Sequence, residues 1–208
     1  TAIYGPNNAG KTCLIKYIQA MKGILLNQRI ELKSNLFSND SVCELGITFE
    51  YEKKEYSYDV KYDTKTNQFV YECLTSKGDV LYKKDLLNRI FDCKDEQTKK
   101  FMSYMASDNV LFHFMDTKYM KEIFVSFAKM IDIINTNQWN VSLGAEKLIK
   151  LLKHLDPQRI LIVDNLDDGL DSEVVNKILE MSTSSQMIFV AYNTSILNCD
   201  DFWFVHRE

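Results

Sequence analysis

The stretch Gly5-Pro6-Asn7-Asn8-Ala9-Gly10-Lys11-Thr12 decides how the rest of this 208-residue chain is interpreted. It follows the apolar run Ala2-Ile3-Tyr4 and precedes residues 13–26, in which apolar side chains recur at helical spacing. This strand, loop and helix fit the pattern G-x-x-x-x-G-K-[ST]. Its glycines let backbone N–H groups turn towards phosphates, and the helix start adds a positive dipole end. We predict that Lys11 reaches the β- and γ-phosphates and that the Thr12 hydroxyl binds Mg²⁺. The predicted nucleotide-binding residues are Gly5, Pro6, Asn7, Asn8, Ala9, Gly10, Lys11, Thr12 and Cys13.

Composition limits the other classes of function. A formal net charge of −4 and a pI near 5.5 give no global electrostatic case for nucleic-acid binding. The five cysteines are scattered and include no C-x-x-C pair, so the sequence favours a reducing cytoplasm over a disulfide framework or a zinc knuckle. No apolar run approaches the ~18 residues of a membrane span, and no signal peptide is visible. Because Thr1 already adjoins the first strand, we expect the chain to begin earlier.

Hydrophobic periodicity divides the chain into four segments of an α/β fold. Residues 44–83 alternate apolar and polar side chains, as in an antiparallel meander of about four strands. Residues 84–156 have a helical pattern. One apolar helix face comprises Leu86, Leu87, Ile90 and Phe91, and Ile131 is the last residue of a second apolar face further along. From residue 157 to 208, apolar strands alternate with helices, which indicates a buried parallel sheet. We therefore predict a phosphate-loop half at 1–43, a β subdomain at 44–83, a helical lobe at 84–156 and the other half of the nucleotide core at 157–208.

The run Ile-Leu-Ile-Val-Asp, residues 160–164, indicates a second half of the phosphate site. Its four apolar residues end in Asp164 at the carboxyl end of a strand, where ligands bind in open α/β sheets. We expect Asp164 to hold Mg²⁺ from this second strand, while Thr12 holds it from the first. The alternative is an aspartate that only caps the loop after a buried strand.

A third motif lies between these two halves. Ser142 and Gly144 stand just ahead of an amphipathic helix that ends near Leu152. A serine cap with a glycine nearby makes a helix start that can bind an anion. An ordinary N-cap explains the same residues equally well.

The order of these pieces resembles the head of an ABC-type ATPase. More narrowly, SLGAEKLI, ILIVDNLDDGLD, QMIFVAYNTSIL and DDFWFV are similar to motifs of the OLD and abortive-infection group of bacterial ABC ATPases. The resemblance covers nearly the whole chain and implies a P-loop NTPase fold with ATP and Mg²⁺ as ligands. It also implies a homodimer, or a higher homo-oligomer, in which Ser142 and Gly144 of one subunit close on the ATP of the other. In this group the ATPase is commonly paired with a nuclease or toxin effector in prokaryotic antiviral defence, and nucleic acid is a possible partner through the complex.

Two positions depart from the pattern of the family. Asn165 stands where the family has the glutamate that activates the attacking water, and Tyr192 stands where it has a histidine on the γ-phosphate. An amide can orient water but cannot accept its proton as a carboxylate does. We therefore expect tight ATP binding with slow hydrolysis. Asp167 or Asp168 is a candidate substitute for the missing carboxylate, although a solvated turn is the simpler interpretation of both.

Two other functions compete with an ATP-gated switch that controls an effector. The first is a degenerate, non-hydrolysing scaffold in which ATP is a structural ligand. The second is a DNA-repair head of the SMC-like kind, which the short helical lobe disfavours.

Overall fold

The chain folds into a mixed α/β architecture with two five-stranded sheets. The computed structural model describes residues 1–5, 10–28, 30, 32, 40–93, 96–104, 110–113, 118–136, 144–182, 186–193 and 202–204. The ten strands are β1 (Ala2–Tyr4), β2 (Val42–Tyr51), β3 (Lys54–Asp63), β4 (Gln68–Ser76), β5 (Asp79–Asp85), β6 (Ile90–Cys93), β7 (Ile131–Asn135), β8 (Ile160–Asp164), β9 (Gln186–Val190) and β10 (Phe202–Phe204). The helices are α1 (Lys11–Leu25), α2 (Glu96–Tyr104), α3 (Lys118–Met130), α4 (Gly144–Leu152) and α5 (Ser172–Met181), with a short 3₁₀ turn at Leu111–His113.

The first sheet is parallel and has the strand order β10-β1-β9-β8-β7. Its strands are short apolar runs, and side chains of α4 and α5 pack against them. The core beside it comprises Ala2, Ile134, Leu151, Leu161, Val163, Leu166, Val175, Ile178, Met187, Phe189 and Ala191. This sheet confirms the parallel arrangement that the sequence predicts, and it brings the carboxyl ends of β1 and β8 to one edge.

The second sheet is an antiparallel meander in the order β2-β3-β4-β5-β6. The alternating pattern predicts this meander, but the structure adds a fifth strand. Glu72 lies on β4, and its carboxylate is fully buried. It accepts hydrogen bonds from the Tyr58 hydroxyl at 2.9 Å, the Tyr82 hydroxyl at 2.6 Å and the Leu111 backbone N–H at 2.6 Å. Burial raises the pKa of Glu72, and these donors together with the nearby charge of Lys84 oppose the rise.

The chain divides into two compact units. One unit contains residues 1–19 and 129–208, and therefore the whole parallel sheet. The other contains residues 20–128 with the antiparallel meander. In the described ranges, none of the helices has the length and apolar character that a membrane crossing needs.

Two parts of the helical prediction for residues 84–156 are wrong. Leu86 and Leu87 lie in a turn, while Ile90 and Phe91 begin β6. Ile131, expected on a helix face, is the first residue of β7 and follows α3 directly. Strand β7 pairs with β8, so the chain rejoins the parallel sheet well before residue 157. Both errors have one cause: short apolar runs fit a strand and a buried helix equally, and β-branched isoleucine favours the strand.

Candidate nucleotide-binding site

The site begins at the junction between β1 and α1. Gly10 has a φ of +103°, a backbone conformation that side chains rarely adopt, so this position requires glycine for its dihedral angle. Its carbonyl accepts the first helical hydrogen bond, from Leu14 N–H at 3.1 Å. Lys11 is the first residue of α1 and is only 3% exposed. Its ammonium group folds back and donates to the Gly5 carbonyl at 2.6 Å.

The Lys11 ammonium also lies under an aromatic ring. The Nζ atom is 4.5 Å from the ring centroid of Tyr192, which follows β9. Burial lowers the pKa of Lys11, and the charges of Asp164 and Asp167 oppose this effect. The structure therefore brings Lys11 close to Tyr192, Asp164 and Asp167, although all three lie more than 150 positions further along the chain.

Asp164 ends β8 and is 1% exposed. Burial raises the pKa of its carboxyl group, whereas a hydrogen bond with the Thr12 side chain and the charge of Lys16 lower it. The Asn135 amide donates to Oδ2 at 3.3 Å. The other oxygen, Oδ1, is buried and has no hydrogen-bond partner among the described residues. A buried carboxylate oxygen without a donor, next to the Thr12 hydroxyl, fits the oxygen ligands that Mg²⁺ requires.

Asn165 adopts the left-handed conformation, with a φ of +58°, and is 5% exposed. Asparagine is one of the few residue types that tolerate this conformation. Its carbonyl accepts from the Thr136 hydroxyl at 2.6 Å and from Asp168 N–H at 3.2 Å. Its side-chain oxygen is buried without a hydrogen-bond partner in the described part of the chain. This oxygen can accept a hydrogen bond from a water molecule but cannot take up the proton of that water.

The carboxylate of Asp167 binds backbone N–H groups. It accepts from Tyr192 N at 3.2 and 3.0 Å and from Asn193 N at 2.7 Å. A carboxylate with both oxygens engaged in this way is a positioning group for the segment after β9. The role of Asp167 as a substitute base stays a prediction.

The start of α4 packs against the turn that follows β8. A Cβ atom on Gly144 would lie 3.2 Å from the Gly169 carbonyl oxygen, so glycine permits this close approach. The buried Lys147 ammonium donates to the Asp168 carbonyl at 2.7 Å and to its carboxylate at 3.0 Å. Asp168 is thereby bound to α4. Ser142 and the residues from Pro6 to Ala9 lie outside the described residues.

Sequence reasoning missed Asn135, Thr136 and Lys147. The pair Asn135-Thr136 follows β7 and supports Asp164 and Asn165, a position that becomes recognisable only when residues 131–135 are assigned to a strand. Nothing local to α4 indicates that Lys147 is buried. In the described ranges, no group of three or more His, Cys, Asp or Glu side chains could hold a metal ion. A site for Mg²⁺ does not need one, because this ion commonly keeps waters and binds one or two protein ligands plus phosphates.

The parallel sheet, the start of α1 and the acidic end of β8 belong to a mixed α/β fold with a candidate phosphate site at one edge of the sheet. No protein-family profile matches the sequence, and no curated protein matches it. Among solved structures, the chain is similar to the SMC head domain from Thermotoga maritima, with a TM-score of 0.52 and 15% sequence identity. The match covers 98% of this chain and 84% of that one. At this identity, the likeness shows a shared fold.

Proposed function

We propose that the chain is an ABC-type ATP-binding head that dimerises around Mg-ATP and hydrolyses it slowly. The observation that carries this proposal is the cluster of Lys11, Thr12 and Asp164. It places a buried ammonium group, a hydroxyl and an unpartnered carboxylate oxygen at one edge of a parallel sheet. The ammonium group suits phosphate oxygens, and the hydroxyl and the carboxylate oxygen suit a Mg²⁺ ion bound to those phosphates.

The chain's own residues divide the work in the following way. Lys11 binds phosphate oxygens, while Thr12 and Asp164 hold Mg²⁺, which when bound neutralises charge on the transferred phosphoryl group. Asn165 orients the attacking water through its buried amide oxygen. Turnover is slow because no carboxylate stands at that position to accept the proton.

Dimerisation is expected to bring the start of α4 from one subunit onto the ATP of the other. Ser142→Arg should prevent dimerisation that depends on ATP while the monomer still binds the nucleotide. Light scattering with Mg²⁺ and a non-hydrolysable ATP analogue tests this part of the proposal, and normal dimerisation of the variant would contradict it.

The second part of the proposal concerns the partner on which the ATP-binding head acts. Resemblance to OLD and abortive-infection ATPases supports a nuclease or toxin effector in prokaryotic defence. The shared fold with an SMC head domain favours a second candidate, a head that acts on DNA. DNA binding that weakens steeply with added salt would support the second candidate, and absence of such binding would favour the first.

The central test is Lys11→Ala. We expect the variant to lose tight Mg-ATP binding and to keep its fold, because the Lys11 ammonium contacts a carbonyl and a ring face instead of packing in the apolar core. Calorimetric titration with Mg-ATP measures affinity, and circular dichroism checks the fold. Lys177→Ala, which removes an exposed lysine of α5, is the matched control. Unchanged affinity in Lys11→Ala would refute the assignment of the phosphate loop.

A further inference from the structure

Tyr192 covers the group that the phosphates of ATP must reach. Its ring centroid lies 4.5 Å from the Lys11 ammonium, and Lys11 is 3% exposed. The tyrosine itself is 46% exposed, so it is not part of the packed core. A cover of this kind can move without opening a cavity.

Asp167 fixes the place of this cover. Its carboxylate accepts the backbone N–H groups of Tyr192 and Asn193, with the shortest bond at 2.7 Å. The turn that carries Asp167 is itself bound to the end of β9, because Leu166 N–H donates to the Val190 carbonyl at 2.9 Å. The segment that carries the ring is therefore bound to the loop after β8.

A phosphate oxygen and the ring face compete for the same cation. A charge-assisted hydrogen bond to phosphate is stronger than a contact between an ammonium group and a ring, but it needs close approach to Nζ. We propose that the ring of Tyr192 occupies the position on Lys11 where a phosphate oxygen binds, and that Mg-ATP binding displaces this ring. Asp167 is the positioning residue that holds the ring there. This inference rests on the proposed function and deepens it, because the ring makes ATP affinity depend on the turn after β8.

The size of the effect follows from the strength of the contact that binding must break. Contacts between a cation and a ring correspond to factors of about 3 to 30 in an equilibrium constant. The apparent affinity of a site equals its intrinsic affinity multiplied by the fraction of molecules in which the site is open. Removal of the ring should therefore tighten ATP binding by about 3- to 30-fold.

The first experiment compares Tyr192→Leu with Tyr192→Phe. Calorimetric titration with Mg²⁺ and a non-hydrolysable ATP analogue gives the dissociation constant of each. We expect Tyr192→Leu to bind more tightly than the wild type by the stated factor. Tyr192→Phe keeps the ring and should bind as the wild type does. Weaker or unchanged binding by Tyr192→Leu overturns the proposal, and weaker binding by Tyr192→Phe assigns the contact to the hydroxyl instead.

The second experiment is a double-mutant cycle that tests the role of Asp167. Asp167→Ala alone should tighten binding, because it frees the segment that holds the ring. In the Tyr192→Leu background it should add no further gain, because no ring remains to be positioned. A carboxylate that only repelled the phosphates would add its full effect in both backgrounds, and that result would refute the positioning role.

The outcomes separate this inference from the proposed function. If the wild type binds Mg-ATP and Lys11→Ala does not, the proposed function stands whatever Tyr192→Leu does. If the wild type binds weakly and Tyr192→Leu binds well, both stand. If neither binds, both are refuted.

Discussion

Asn165→Glu should raise the rate of ATP hydrolysis by roughly 100-fold, the low end of what a general base contributes. This factor corresponds to about 2.7 kcal/mol of activation free energy. Asn165 lies directly after Asp164, and its side-chain oxygen is buried without a partner in the described part of the chain. A carboxylate there would accept the proton that the amide cannot. ATP affinity should change little, because the group acts on the attacking water.

The structure also sets the cost of this substitution. Asn165 has a φ of +58°, and a glutamate in the left-handed conformation loses about 1 kcal/mol of folding free energy relative to asparagine. Burial would raise the pKa of the new carboxyl group above its ordinary value. Since the base acts only when ionised, the gain in rate should be lost as the pH falls through that raised pKa.

Asn165→Gln is the matched control for this experiment. It has the length of glutamate and the same backbone strain, but it has no basic group. Release of radiolabelled phosphate at saturating ATP, followed from about pH 5 to pH 9, compares both variants with the wild type. The reasoning is refuted if Asn165→Glu is no faster than Asn165→Gln. If Asp168→Ala or Asp167→Ala then abolishes turnover, the base lies in the turn after β8.

Two further predictions concern buried polar groups. Burial and the charge of Glu72 raise the pKa of Tyr82 well above its ordinary value, so the unfolded chain loses this proton near pH 10 while the folded chain keeps it. The free energy of unfolding should therefore fall by about 1.4 kcal/mol per pH unit for this group above about pH 10. Tyr82→Phe should remove that share of the slope in urea denaturation, and equal slopes would contradict the assignment. Lys147→Met should lower the free energy of unfolding by about 1 kcal/mol, because the hydrogen bonds from Lys147 to Asp168 are lost. The loss is small because the carboxylate of Asp168 is half-exposed and regains hydrogen bonds to water. Lys153→Met, at an exposed position, should leave the urea midpoint unchanged.

The sequence specifies the parts of the site that are local along the chain. The loop before α1 and the acidic end of β8 each depend on consecutive residues, so their patterns predict a P-loop ATPase-like fold without knowledge of tertiary contacts. The meander between residues 44 and 83 is predictable for the same reason, since alternation of apolar and polar residues is local. The structure confirms the parallel sheet and the meander, whereas residues 6–9 of the loop lie outside the described residues.

The missed features depend on contacts between distant residues. Asp167 binds the backbone of Tyr192, 25 positions away, and Lys147 binds Asp168, 21 positions away. No pattern near either residue specifies its partner. Strand β7 was missed because α3 continues into it without a glycine or proline to mark the change. The unrecognised strand in turn concealed the roles of Asn135 and Thr136.

The position of β1 between β10 and β9 has a consequence for biosynthesis. Strand β1 is translated well before both of its hydrogen-bonded neighbours, because β9 and β10 lie far downstream in the chain. Residues 20–128 form a contiguous unit and can fold while the ribosome is still elongating the chain. The sheet edge that carries the candidate nucleotide site is completed only after β8, β9 and β10 have left the exit tunnel. A nascent chain that stalls before that point therefore has Lys11 but not the sheet edge that brings Asp164 and Tyr192 close to it.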